Sequence, residues 1–168
     1  MKSKGYLILR IILLAGIFGT LLFTFTQSML PPEESSAVSD EVCGILETII
    51  PPDTEVGEFV QENVRKIAHF TEYFILGIFT SLYVSIFMPK LDSKPRERVR
   101  FVIYSFISAP IVALFDETIQ IFSGRGPAVA DVWLDTLGFF SSAATIYTAF
   151  YTVAFILKRK SEKQQHQR

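Results

Sequence analysis

Four stretches of this chain are each long and apolar enough to cross a lipid bilayer, and this feature limits the possible folds most. A hydrocarbon core of ~30 Å requires a helix of about 20 predominantly apolar residues. Because a bilayer offers no water to unpaired backbone groups, such segments cross it as helices. The four stretches are residues 6–25, 67–87, 101–122 and 132–157. We therefore predict an all-α integral membrane protein with four transmembrane helices, forming one domain over residues 1–168.

The first stretch could also be a secretory signal, because Lys2 and Lys4 precede its apolar run. The run is longer than the apolar core of a signal peptide, however, and no Ala-x-Ala cleavage pattern follows it. We predict an uncleaved first span, with Arg10 extending along its aliphatic stem toward the near interface. A cleaved signal would leave three spans.

Charge is segregated along the chain in a way that predicts the topology. Cytoplasmic loops of membrane proteins carry an excess of Lys and Arg. The connection over residues 88–100 holds five basic residues, and the polar tail over residues 158–168, which we expect to be disordered, holds five more. The first connection instead holds nine carboxylates between Glu33 and Glu62. We predict that both termini are cytoplasmic and that the basic loop faces the anionic inner leaflet rather than nucleic acid.

The acidic first connection also contains the pattern of a short amphipathic helix. Pro31 and Pro32 end the first span, and the acidic residues that follow them are typical of a helix start. Apolar residues then recur at helical spacing, at Val38, Val42, Ile45, Leu46 and Ile49. We predict an extracytoplasmic amphipathic helix that lies on the membrane surface or packs on the bundle. A further helix can begin at Glu55 and run directly into the second span.

Ten polar residues lie within or beside the last three spans, where ionisable side chains are rare and usually functional. They are Lys66, His69, Glu72 and Tyr73 in the second span, Asp116, Glu117 and Gln120 in the third, Arg125 in the next loop, and Asp131 and Asp135 in the fourth. At about 100° per residue, those of each span share one face. These faces must point inward, because lipid cannot solvate them. The predicted topology brings all ten together in one outer-leaflet vestibule.

Two interpretations of this vestibule remain open. Its residues could simply pair with one another and fix the helix register, for example Lys66 or Arg125 with Asp131, and His69 with Asp116 or Glu117. Ten polar residues exceed the few interhelical hydrogen bonds that register needs, so we favour a ligand site. Lys66 and Arg125 could bind a phosphate or carboxylate, and the carboxylates could bind an amine or a divalent cation.

The same residues resemble the pattern of the VanZ family of small membrane proteins. That pattern is Lys-x-x-His-x-x-x-Tyr, then Asp-Glu-x-x-Gln-x-Phe, an Arg, and Asp-x-x-x-Asn before a Gly-containing helix. The chain matches it at Lys66, His69, Tyr73, Asp116, Glu117, Gln120, Phe122, Arg125, Asp131 and Gly138, with Asp135 in place of the Asn. Residues 25–39, with Gln27, Ser28, Pro31, Ser35 and Ser36, are also similar to the segment after the family's first span.

The resemblance implies an association with lowered sensitivity to lipoglycopeptide antibiotics such as teicoplanin, with no agreed reaction. Our leading hypothesis is a vestibule that binds a cell-envelope lipid, a lipid-linked wall precursor or the antibiotic. One alternative is an intramembrane enzyme with His69 or Glu117 as general base, although the chain lacks a His-Glu-x-x-His motif and an evident Ser or Cys nucleophile. Another is an ion or proton transporter. The catalytic residues, the metal and the oligomeric state stay unassigned.

The topology can be tested by cysteine labelling. Single cysteines at Ser39 and Ser123, with Cys43 replaced, should react with a membrane-impermeant maleimide on intact cells, because both positions are predicted to be outside. Cysteines at Ser93 and Ser161 should react only after the membrane is opened. Labelling of position 93 on intact cells would contradict the topology and the outer location of the vestibule.

Overall fold

The computed structural model describes residues 2–87 and 95–166 and consists of five helices in this part of the chain. They are α1 (Lys2–Ser28), α2 (Pro32–Glu47), α3 (Glu55–Phe87), α4 (Pro95–Phe122) and α5 (Val129–His166). Helices α1, α3, α4 and α5 are long and apolar enough to span a membrane. The prediction of an all-α protein with four spanning helices is therefore confirmed. Residues 88–94 of the basic loop, including Lys90 and Lys94, lie outside the described residues.

Helix α2 has the amphipathic character that the sequence predicts. It begins with Pro32 at its first position and has Glu33 and Glu34 in its first turn, where the helix dipole favours acids. None of its residues is buried, and it packs on α3. Helix α3 runs without interruption from Glu55 to Phe87, so the second span is extended at its N-terminal end by about three polar turns.

The expectation of a disordered tail was wrong for most of its length. Helix α5 continues to His166, nine residues past Leu157, where the predicted span ends. The added segment contains Lys, Arg, Glu and Gln, which have favourable helix propensities. Because extending an existing helix needs no new nucleation, polar residues can continue it beyond the apolar segment.

Helix α3 lies at the centre of the bundle and contacts each of the other four helices, with its most extensive contact to α5. Two glycines allow these two helices to approach closely. A Cβ atom at Gly138 would collide with the carbonyl oxygen of Phe70, and one at Gly77 would lie 2.7 Å from the carbonyl oxygen of Phe139. Small residues at helix interfaces are typical of membrane proteins, in which van der Waals packing drives association.

The apolar core is small, and most large apolar side chains point away from it. The core consists of Tyr73, Leu76, Ala109, Ala113, Phe139 and Ala143. By contrast, Phe18 is 67% exposed and Leu22 is 70% exposed on α1. Apolar residues that face outward on helices of spanning length are solvated by lipid chains. The chain is therefore a multi-pass membrane protein.

The close approach of α3 and α5 predicts the effect of adding one methyl group. Gly138→Ala should destabilise the protein by about 1–3 kcal/mol, because a backbone carbonyl cannot move aside as a side chain can. Gly19→Ala is the matched control, since no atom lies within 4 Å of its added Cβ. It should be neutral or stabilising by up to ~1 kcal/mol. Thermal unfolding in detergent measures both, and equal melting temperatures would contradict the packing described here.

Candidate functional site

A cluster of buried polar side chains lies at the end of the bundle where α2 and residues 123–128 are found. Its centre consists of His69 on α3, Asp116 and Glu117 on α4, and Asp135 on α5. One possible ligand atom from each of these four side chains lies within 4.8 Å of the other three. Asp116 and Asp135 are 0% exposed. The three faces predicted from the sequence therefore meet at one point.

His69 lies between the two aspartates. Its Nδ1 is 3.5 Å from Oδ1 of Asp135 and 3.8 Å from Oδ2 of Asp116. Both distances exceed the usual range of a hydrogen bond between a nitrogen donor and an oxygen acceptor. Four buried atoms of this group have no hydrogen-bond partner in the described protein: His69 Nδ1, Asp116 Oδ2 and both carboxylate oxygens of Asp135.

The first helix contributes to the cluster, although no residue of it was among the predicted site residues. The hydroxyl of Ser28 donates a 2.6 Å hydrogen bond to Oδ1 of Asp116, and Ser28 is itself 1% exposed. One turn earlier, Thr24 is buried beside Glu72, which is half-buried next to the cluster. Tyr73 is fully buried in the core, and its hydroxyl has no hydrogen-bond partner among the described residues.

A chain of hydrogen bonds fixes Glu117. Its Oε2 accepts from the backbone N–H of Ala128 at 2.8 Å, and its Oε1 accepts from the amide of Gln120 at 3.0 Å. The amide oxygen of Gln120 in turn accepts from the guanidinium of Arg65 at 2.9 Å. Arg65 is thereby connected to the carboxylate of Glu117 through the fully buried Gln120.

The turn after α4 brings Arg125 back over the bundle. Gly124 has a φ of 78°, and the N–H groups of Gly124 and Arg125 bond to the carbonyls of Ile121 and Gln120. This is a Schellman motif, which needs a left-handed residue after the helix and favours Gly there. The Arg125 guanidinium then donates a 2.9 Å hydrogen bond to the carbonyl of Gln27. That carbonyl lies in the last turn of α1 and also accepts from the backbone N–H of Leu30.

Arg125 is 7% exposed, and its Nε has no hydrogen-bond partner among the described residues. Burial lowers the pKa of its guanidinium, and the positive charge of nearby Arg65 lowers that pKa further. Asp116 and Glu117 act in the opposite direction on the same pKa. Because arginine stays charged in proteins, two guanidinium groups face this region together.

Two of the ten predicted residues lie away from the centre. Lys66 is exposed and makes no hydrogen bond or ion pair with any described residue, whereas its neighbour Arg65 makes the contact to Gln120. Asp131 is half-buried and has no ion pair in residues 2–87 and 95–166. The pairings of Lys66 or Arg125 with Asp131 are therefore absent from the described structure, and Arg125 binds the carbonyl of Gln27 instead.

Two adjoining cavities open beside the cluster. The first is a groove of 410 Å³ between α1, α2 and α3, whose walls include Phe23, Val38, Val42, Leu46 and Ile75 as well as His69 and Glu72. The second is a polar recess of 450 Å³ between α2, the start of α3 and residues 124–126, and Asp40 and Glu62 line it. Arg65 and Arg125 line both cavities.

The sequence contained only partial signals for the residues that were missed. Arg65 and Lys66 are adjacent, so that a rotation of about 100° decides which of them faces the bundle. Ser28 and Gln27 lie in the segment similar to VanZ proteins, but serine is common in membrane helices and bonds readily to its own backbone. Nothing in the sequence indicates that Ser28 would donate to Asp116.

Most of the chain matches a known protein family. The VanZ/LLP1 family model matches residues 7–151 of the 168-residue chain. The chain therefore belongs to the VanZ/LLP1 family, which links it at the family level to glycopeptide resistance. No curated protein and no solved structure is significantly similar to it.

The contact between α1 and the cluster yields a test. Ser28→Ala should destabilise the protein by about 1–3 kcal/mol, because it removes a buried hydrogen bond to a carboxylate. Thr26→Ala is the control, since Thr26 is exposed and bonds to the carbonyl of Leu22 in its own helix. Thermal unfolding of both variants in detergent measures the difference. A Ser28→Ala variant as stable as Thr26→Ala would show that α1 does not contribute to the cluster.

Proposed function

We propose that this VanZ/LLP1 protein lowers sensitivity to lipoglycopeptide antibiotics such as teicoplanin by binding an amphipathic molecule of the cell envelope. The proposed ligand has a long apolar chain and an acidic head group, the chemistry that lipid-linked wall precursors and lipoglycopeptides have in common. The apolar chain would lie in the groove between α1, α2 and α3. The acidic group would lie where the groove meets the polar recess.

One observation carries this proposal: the groove and the recess share Arg65 and Arg125 in their walls. A ligand that extends from one cavity into the other passes both guanidinium groups. The groove has the volume typical of small-ligand sites, which are mostly apolar and contain a few polar groups that fix orientation. It can hold a segment of an acyl or prenyl chain.

The charges near this junction favour an acidic group. The guanidinium of Arg125 is buried and has an unpartnered Nε, and Arg65 is close enough to lower its pKa. A phosphate or carboxylate between the two would offset their repulsion and accept charge-assisted hydrogen bonds. Asp40 and Glu62 also line the recess, and their carboxylates would pair with an amine of the ligand.

The topology predicted from the charge distribution supports an envelope ligand. It makes both termini cytoplasmic and puts α2, the recess and the cluster on the outside of the cell membrane. The groove would then be open to molecules of the outer leaflet, where lipid-linked wall precursors are used and where lipoglycopeptides arrive.

An intramembrane enzyme is the second candidate, and the unpartnered atoms of His69, Asp116 and Asp135 favour it.

Transport of an ion or proton has less support. Toward the opposite end of the bundle, the buried polar side chains of the described residues are hydroxyls, such as Ser81, Ser105 and Ser142, and no buried ionisable group continues the cluster.

Ligand binding can be tested with purified protein in nanodiscs. Native mass spectrometry should detect binding of a polyprenyl phosphate and of teicoplanin, tested separately, with phosphatidylcholine as the neutral-lipid control. Arg65→Ala should weaken binding of the acidic ligand on the order of 10-fold, because it removes a charge-assisted hydrogen bond. Lys66→Ala is the matched control and should bind like the wild type.

Resistance should follow binding. A host that carries Arg65→Ala should be more sensitive to teicoplanin than one that carries Lys66→Ala at equal membrane abundance. Binding of teicoplanin alone would identify the antibiotic as the occupant, and binding of polyprenyl phosphate alone would identify a wall precursor. Equal binding and equal resistance in the two variants would contradict the role of the arginine pair.

A further inference from the structure

We propose that His69, Asp116, Glu117 and Asp135 bind a divalent first-row transition-metal ion such as Mn²⁺ or Zn²⁺. This site lies deeper than the arginine pair and goes beyond the proposed binding of an amphiphile. Its residues come from α3, α4 and α5, so an ion would join three of the spanning helices.

The distances within the cluster fit ligands around one ion. Metal ligands at about 2.0–2.2 Å from an ion lie roughly 3–3.5 Å from one another. The Nδ1 of His69 lies 3.5 Å from Oδ1 of Asp135 and 3.8 Å from Oδ2 of Asp116. These separations are too long for good hydrogen bonds but close to those of neighbouring ligands. Glu117 completes a group of four whose ligand atoms all lie within 4.8 Å of one another.

The buried atoms that have no hydrogen-bond partner also belong to this cluster. The Nδ1 of His69, Oδ2 of Asp116 and both oxygens of Asp135 are buried without a hydrogen-bond partner in the described chain. Buried polar atoms without partners are rare and costly in native proteins. All four belong to side chains of the proposed ligand group, so an ion would satisfy them together.

The charges of the cluster call for a cation. Three carboxylates are buried here, and the ion pairs found in residues 2–87 and 95–166 join two of them only to His69. No lysine or arginine of the described chain lies within 4.0 Å of them. A buried carboxylate without a partner is strongly disfavoured in a low-dielectric interior. A bound dication would offset most of this negative charge, which the bilayer cannot do.

Hydrogen bonds from outside the group already orient two of the proposed ligands. Ser28 donates to Oδ1 of Asp116, which leaves Oδ2 on the cluster side. Gln120 donates to Oε1 of Glu117 and the backbone N–H of Ala128 donates to Oε2, so this carboxylate would bind an ion through the second lone pair of one oxygen. Such contacts around metal sites fix ligand geometry, and their loss typically weakens metal binding.

The donor set decides which ions fit. Mg²⁺ and Ca²⁺ prefer ligand sets made entirely of oxygen atoms. One imidazole nitrogen with carboxylate oxygens suits Mn²⁺, Fe²⁺ or Zn²⁺. Because His69 also lines the groove, such an ion would be next to the proposed ligand and could act there as a Lewis acid.

Metal binding by the purified chain tests this proposal without any lipid. Protein stripped with EDTA should bind Mn²⁺ or Zn²⁺ at about one ion per chain in isothermal titration calorimetry, more tightly than Mg²⁺. Asp135→Asn should weaken this binding on the order of 10-fold or more. Asp131→Asn is the control, because Asp131 lies one turn earlier on α5 and outside the ligand group. Failure of both ions to bind, or equal weakening in the two variants, would overturn the site.

Pulsed EPR on the Mn²⁺-loaded wild type tests the same site independently of whether Asp135→Asn folds. The spectrum should contain ¹⁴N coupling from one imidazole, and this coupling should persist in His166→Gln, which replaces the second of the two histidines in the chain. A spectrum without ¹⁴N coupling would exclude His69 as a ligand and overturn the proposal. Because no lipid is present, neither result depends on binding at Arg65 and Arg125.

Discussion

The structure depends on one constraint: a bilayer cannot solvate ionised side chains, so those that lie at membrane depth must find partners inside the protein. The chain concentrates Asp116, Glu117 and Asp135 at one end of the bundle. Their neighbours come from all four spanning helices, with Ser28 on α1 and His69 on α3. Polar contacts among all four spanning helices therefore meet at the cluster, while the glycines between α3 and α5 allow those two helices to pack closely.

Much of the fold could be predicted because membrane helices follow a simple physical rule. An apolar run of about 20 residues has few alternatives to a spanning helix, and all four predicted runs lie within helices. The ends of the helices were less predictable. Past Leu157 the side chains become polar, but polarity does not end a helix when the residues have high helix propensity.

The central residues of the site were predictable for the same reason, whereas the contacts of Arg65 and Ser28 around them were not. His69, Asp116, Glu117, Gln120 and Asp135 had to face inward, because the outward direction is lipid. Arg65 and Lys66 directly precede the predicted apolar run over residues 67–87, where the long side chains of Arg and Lys are both expected to reach water. The rotation of α3 about its axis therefore determines that Arg65, and not Lys66, contacts Gln120. The role of Ser28 depends on how α1 sits against α4, which no periodicity within one helix can reveal.

The hydrogen bond between Arg125 and the carbonyl of Gln27 has a consequence for the movement of the first span. The same guanidinium lines the recess and holds the last turn of α1. An anion that binds Arg125 competes with the Gln27 carbonyl for the guanidinium. Anion binding in the recess and the contact between Arg125 and α1 are therefore linked by a coupling free energy. By linkage, each must then alter the other to the same extent. The single side chain of Arg125 thus connects anion binding in the recess to the last turn of α1.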